Sequence, residues 1–261
     1  MNTVIVAVDF SETSLHAARY AAKILEGHLE VTMILYHSYN TETKAEEAQQ
    51  KLNELTEVLK GETSLKIETL ANYADDFILE LDRAIRHRKA ELLVMGITEK
   101  SALAQVFIGS RTLKMAQTKA CPVLIVPEKA LYKEVKNVMM ASDFKEANRT
   151  TPSVPIKDFL AILKPNFHIV NVDPEHFIAI TEAYEKEKQA LNEMFAEFNP
   201  EFYFLRLYDV DEALNLFAES KDIDLIIAIQ RNHTFMEKLF KRSRTKSLSY
   251  QSKVPVLIVH E

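Results

Sequence analysis

The residues whose types and spacing suit chemistry are two glycines and the helix start that follows them. Gly96 is followed by Glu99 three positions on. The stretch from Lys100 to Ile108 comes next, and Gly109-Ser110 closes the run. Backbone that approaches a phosphate closely needs glycine, and the amides at a helix start attract anions. The chain has only the glycines Gly27, Gly61, Gly96 and Gly109, and none follows Gly109. The expectation is a ligand site kept in the first half of the chain and lost from the second. The plainer alternative for Gly96 and Gly109 is turn geometry and tight packing.

Other chemistry is hard to find. There is no Gly-x-Ser-x-Gly elbow and no Gly-Lys-Ser/Thr phosphate loop. The eight histidines lack zinc-ligand spacing, and a single cysteine argues against a structural zinc site. We therefore expect no catalytic residue, no metal ligand and no enzyme activity. His37 reads as a packed strand-end residue, Asp75-Asp76 as the acidic opening of a helix, and Cys121 as a small buried hydrophobe.

These residues need a scaffold. Apolar runs at Val4 to Val8, Glu30 to Tyr36, Ser64 to Leu70, Glu91 to Met95 and Val123 to Val126 alternate with helical periodicity. That pattern predicts parallel strands joined by crossover helices. Ala48, Leu52, Leu55 and Leu59 form one helical stripe, and Phe77, Leu81 and Ile85 another. Ser11 and Thr13 are suited to cap the helix after the first strand. Ligands of open parallel sheets bind outside the carboxyl ends of the strands. Asp9, Ser38 and Gly96 all follow strands in this scheme, so three separated segments meet at one crevice. Asp9 reads equally well as a plain helix-capping carboxylate.

The chain repeats itself. Glu91-Leu-Leu-Val-Met aligns with Asp224-Leu-Ile-Ile-Ala, Ser110-Arg-Thr with Ser243-Arg-Thr, and Pro122-Val-Leu-Ile-Val with Pro255-Val-Leu-Ile-Val, each at an offset of 133. Val8-Asp9-Phe10 aligns with Ser142-Asp143-Phe144 at an offset of 134. Two homologous domains follow, residues 1–128 and 134–261, joined by a polar junction. The longest helix of the second half is expected from about Glu175 to Glu197. At the positions of the glycine run the second half has Ile229, Asn232, Arg242 and Ser243, with a basic run, Lys238, Lys241, Arg242, Arg244 and Lys246, beside them. That run reads as a solvated face, or as an anion-holding or partner-binding one.

A net charge of −6 argues against nucleic acid as a partner. No apolar run reaches the roughly 18 residues of a membrane span, and the start lacks a secretory signal, so a cytoplasmic protein is expected.

Val8-Asp9-Phe10-Ser11-Glu12, Leu35-Tyr36-His37, the Gly96 to Ser110 segment and the final Pro-Val-Leu-Ile-Val strand resemble the universal stress protein family in its tandem form. The resemblance implies α/β architecture: two tandem doubly wound domains, each with a five-stranded parallel sheet flanked by helices, Rossmann-like and adenine nucleotide alpha hydrolase-like. It implies a stress-response protein that binds ATP or another adenine nucleotide in its first domain. Asp9 would meet the adenosine end, the Ser38 backbone the adenine, and Gly96, Gly109 and Ser110 the phosphates. It also implies edge-to-edge pairing of the two last strands within the chain, which imitates a family dimer, with further dimerisation and unidentified protein partners open.

The family's motif has a second glycine where this chain has Glu99. Two like charges about 4 Å apart, at an effective dielectric near 20, repel by about 4 kcal/mol. That is an upper bound, because an exposed glutamate swings away and salt screens it. ATP binding is therefore expected to be weakened, with a non-nucleotide interaction scaffold as the first alternative. Slow ATP hydrolysis or self-phosphorylation on Ser110 rests on family analogy alone.

Overall fold

The computed structural model describes residues 1–97, 110–131, 133–172, 182–205, 210–230 and 253–261. The chain divides into two compact units, Met1–Glu134 and Val135–Glu261.

In the first unit strands and helices alternate: β1 Thr3–Ala7, α1 Glu12–Ile24, β2 Thr32–Tyr39, α2 Ala45–Lys60, β3 Lys66–Tyr73, α3 Phe77–Arg88, β4 Leu92–Ile97, α4 Ser110–Gln117 and β5 Val123–Pro127. The sheet order is β3-β2-β1-β4-β5, every pair parallel. Strands covered on both faces need continuous apolar sequence. Val4 to Val8, Leu92 to Met95 and Val123 to Val126 meet that need and are all buried. The chain reverses direction across β1, since β2 and β4 flank it, and the crevice of such a sheet opens at the carboxyl ends there.

The helices dock by the stripes read from the sequence. Ala48, Leu52, Leu55 and Leu59 of α2 are buried, as are Leu81 and Ile85 of α3. The Ser11 side chain caps α1 by accepting from the Ser14 amide. Asp76 caps α3, its carboxylate accepting from the amides of Ile78 and Leu79 at 2.8 and 3.2 Å. Cys121 is part-exposed, with a thiol that burial pushes up to about 12.

The second unit repeats the plan with β6 Asn137–Ala141, α5 Ala147–Thr150, α6 Ser153–Leu163, β7 Asn166–Val172, α7 Glu182–Met194, β8 Glu201–Leu205, α8 Val210–Ser220, β9 Leu225–Gln230 and β10 Val256–His260. Its parallel order, β8-β7-β6-β9-β10, is that of the first unit. The internal repeat extends to detail. The Glu91 carboxylate accepts from the amides of Asn2 and Thr3 as β1 begins, and the Asp224 carboxylate accepts from those of Lys136 and Asn137 as β6 begins.

Several boundaries differ from the sequence reading; β3 runs to Tyr73 and β4 to Ile97, each beyond its expected end. β2 runs on to Tyr39 instead of ending at Tyr36, because β3 extends with it and pairs residue by residue up to Tyr39↔Tyr73. The helix expected over Glu175 to Glu197 is α7, ending at Met194. A 3-10 turn over Ala196–Phe198 and a left-handed Asn199 then stop it, and its expected start lies outside the described residues. The first helix of the second unit is split, since Thr151 is extended and Pro152 follows it, so α5 ends after one turn. Among the described residues no helix is long and apolar enough to cross a membrane.

Candidate functional site

The site begins where β1 ends. The Val8 amide donates to the Tyr36 carbonyl at 2.8 Å, and the chain then leaves the sheet. The Asp9 carboxylate turns back on itself: its Oδ1 accepts from the Ser11 amide at 3.1 Å and the Ser11 hydroxyl at 2.6 Å. The Asp9 amide donates to Ser14 Oγ at 3.2 Å, and that hydroxyl donates to the Ser11 carbonyl at 3.0 Å. Between them Phe10 takes a left-handed backbone, φ +63°, an uncommon state for a non-glycine residue. Partial burial pushes the Asp9 carboxyl up, but the Ser11 hydroxyl and amide, with Ser14, outweigh it and hold the group below the usual aspartate value. Asp9 is thus an exposed, ionised carboxylate with a fixed direction.

Register brings the other residues to it. Ala7 lies level with Tyr36 of β2 and Met95 of β4, so His37 and Gly96 stand beside Val8, and Ser38 one residue beyond, where the chain has turned out of the sheet at Asp9. Neighbouring strands stand about 4.8 Å apart. Asp9, Ser38 and Gly96 therefore share one edge, although Ser38 and Gly96 lie inside their strands and not beyond them as the sequence reading had it.

The backbone of Ser38 has a particular orientation. In a parallel strand the amide and carbonyl of one residue point to the same side, and sides alternate. Thr32 donates to Asn2 and Tyr36 accepts from Val8, on the β1 side, while Tyr39 accepts from Ala74, on the β3 side. Ser38 therefore directs its N–H and C=O toward β1, past the point where β1 has ended. His37 points its ring to the Phe10 side chain, with ring centroids 4.6 Å apart, and its Nδ1 lies 2.8 Å from the Val8 carbonyl.

Gly96 has a packing role of its own. A Cβ there would lie 2.6 Å from the carbonyl oxygen of Thr13, in the first turn of α1. On the other side the Thr112 hydroxyl reaches the Gly96 carbonyl at 3.4 Å, linking the first turn of α4 to β4. The backbone of Ser110 opens α4, and the Arg111 guanidinium lies over the Phe77 ring at 5.1 Å. Gly109, Glu99 and Lys100 lie outside the described residues, as does the Ser110 side chain.

The second unit keeps the turn and not the glycine. Asp143 Oδ1 accepts from the Lys145 amide at 3.1 Å, and Phe144 is left-handed at φ +51°. The Phe144 ring is buried among Tyr184, Phe202 and Phe204, with centroids 5.2 to 6.1 Å away. Ile229 occupies the place of Gly96 and is buried. The shortened α5 packs on α7, whereas α1 of the first unit packs on β4. Asn232, Arg242, Ser243 and the basic run from Lys238 to Lys246 lie outside the described residues.

Sequence reasoning missed the left-handed turn at Phe10, the part played by His37, and the packing of Thr13 on Gly96, since it read Thr13 as a cap where Ser11 alone is the N-cap. The signal for Phe10 was present, since Asp-Phe recurs as Asp143-Phe144. Thr13 against Gly96 is a contact between distant segments and left no local mark.

The sequence model of the universal stress protein family matches residues 1–127 and 170–260. No curated protein sequence matches the chain. Among solved structures, a universal stress protein from Archaeoglobus fulgidus DSM 4304 is 18% identical, with 99% of this chain and 98% of that chain covered and a TM-score of 0.68. The functionally unknown protein PA1789 from Pseudomonas aeruginosa PAO1 is 14% identical, with 100% and 92% covered and a TM-score of 0.63. A universal stress protein in complex with cAMP is 26% identical over 48% of this chain and 95% of that chain, with a TM-score of 0.40. The first two likenesses establish the fold over the whole chain. With the family's sequence model matching most of the chain in two stretches, one per unit, the chain belongs to the universal stress protein family in its tandem form.

Proposed function

We propose that the chain is a stress-response protein that works by binding, and that its first unit takes an adenine nucleotide at the carboxyl edge of β1, β2 and β4. The observation that carries this reading is the Ser38 peptide, whose donor and acceptor face the side where β1 has ended. Adenine offers the complement, an acceptor at N1 beside a donor at N6. Guanine offers the reverse order. The ionised Asp9 carboxylate, held at Oδ1 by Ser11, presents Oδ2 to a ribose hydroxyl. These residues fit the adenosine half of a nucleotide. Ser110, at the start of α4, and Gly109 are the proposed phosphate end, with Glu99 opposing it.

Isothermal titration calorimetry with ATP, AMP, adenosine and GTP tests the reading. Adenine ligands are expected to bind once per chain, at least tenfold tighter than GTP, on the scale by which a site built for one set of hydrogen bonds rejects another. The second unit is expected to contribute no site, because Ile229 fills the place of Gly96.

One observation favours a scaffold without nucleotide. Thr13 accounts for Gly96 by packing alone, so that glycine needs no ligand to explain it. The same titration separates the two readings, since a scaffold gives no heat with any nucleotide.

A further inference from the structure

We infer that His37 is a positioning residue, which grips the end of β1 and so sets the turn that aims Asp9 and the Ser38 peptide. Val8 is held at both its backbone polar groups by consecutive residues of β2. Its amide donates to the Tyr36 carbonyl at 2.8 Å, and its carbonyl lies 2.8 Å from His37 Nδ1. A carbonyl only accepts, so the contact assigns a hydrogen to Nδ1. Both the neutral tautomer with that hydrogen and the protonated ring keep the donor.

The second unit supplies an independent copy with a different side chain. There the Ser142 amide donates to the Val170 carbonyl at 2.9 Å, and Asn171 Nδ2 donates to the Ser142 carbonyl at 2.9 Å. Asn171 stands at the position of His37, by the same offset that relates Asp143 to Asp9. In both units the gripped residue is followed by an aspartate and a left-handed phenylalanine, Phe10 at +63° and Phe144 at +51°. In both, the aspartate Oδ1 then accepts at 3.1 Å from the amide two positions on, Ser11 or Lys145. Two chemically different side chains thus make one contact before one turn. The shared element is a donor aimed at the carbonyl of the residue just past the first strand, Val8 or Ser142, and aromaticity or charge is incidental to it.

The link to ligand rests on the nucleotide reading above, whereas the grip itself does not. Amide exchange of Ser11 and Lys145 in the full chain, followed by NMR without nucleotide, reads the two turns directly. His37→Ala is expected to speed Ser11 exchange about fivefold or more, the scale of one net hydrogen bond, and His37→Asn to restore it to within about twofold. Asn171→Ala and Asn171→His are expected to do the same at Lys145, which keeps the question open to test should His37→Ala not fold. ATP affinity is expected to fall with His37→Ala and to return with His37→Asn. A His37→Asn chain as loose at Ser11 as His37→Ala, or an alanine variant with unchanged exchange, overturns the inference. Unmodified chain that takes up no ATP overturns the nucleotide reading instead, and the exchange series still decides on the grip.

Discussion

The β-carbon that Gly96 lacks would lie 2.6 Å from the carbonyl oxygen of Thr13, closer than packed atoms approach. The end of β4 and the first turn of α1 are therefore in contact through bare backbone. Gly96→Ala is expected to destabilise the first unit by about 1–3 kcal/mol, the cost of overfilling a packed site. Denaturant unfolding checks this without nucleotide present, and an unchanged midpoint would show that α1 can shift freely away from β4.

The ionised form of Asp9 is favoured in the folded chain. Partial burial opposes this, and the Ser11 and Ser14 hydrogen bonds overcome it, so the folded value lies below that of the unfolded chain. A depressed carboxyl stabilises the fold above the ordinary aspartate value of about 3.9 and loses that contribution as pH falls through its folded value. Asp9→Asn should thus be less stable than the unmodified chain at neutral pH, with the gap closing below about pH 4. A gap that stays constant down to that range contradicts the assignment.

His168 gives the second unit a loss of stability in acid of the same sign, at higher pH. Its imidazole is 4% exposed, packed on Tyr203 and Phe217, with Glu201 at 3.6 Å and Lys221 over Tyr203. Burial lowers its affinity for a proton, Glu201 opposes that, and Lys221 adds to it. The unfolded chain therefore binds the proton more readily, so stability is full above about pH 6.5 and declines as pH falls through the folded value. His168→Phe should flatten the loss of stability between pH 7.5 and 5.5. Equal slopes in variant and parent would assign the loss to other groups.

Glu99 tests the phosphate end. Replacing it by glycine supplies the second glycine that the family resemblance implies and removes a negative charge. Glu99→Gly is expected to tighten ATP binding by at least tenfold, within the limit of about 4 kcal/mol for a close like-charge pair, and to leave adenosine binding nearly unchanged. Equal gains for ATP and adenosine would place Glu99 elsewhere than at the phosphates.

Much of the fold was legible because its strands are buried on both faces. Runs such as Ile5-Val6 and Leu93-Val94 cannot serve elsewhere in a parallel sheet. Strand ends were not legible, since β2 reaches Tyr39 only because β3 pairs with it. At the site, spacing marked Gly96 correctly as a special position, but the Thr13 contact that makes it glycine joins segments with β2, α2, β3 and α3 between them. The grip on β1 was hidden for another reason. His37 and Asn171 share no chemical family, and only their common donor, visible in the hydrogen bonds, makes them equivalent.

The measurement that bears most directly on the nucleotide site is calorimetric titration of the full chain with adenosine, AMP, ATP and GTP at one ionic strength. The orientation of the Ser38 peptide predicts a site that prefers adenine to guanine by at least tenfold, and Ile229 in the place of Gly96 limits it to one per chain. No heat with any adenine ligand at millimolar concentration, or equal affinity for guanine, would contradict it.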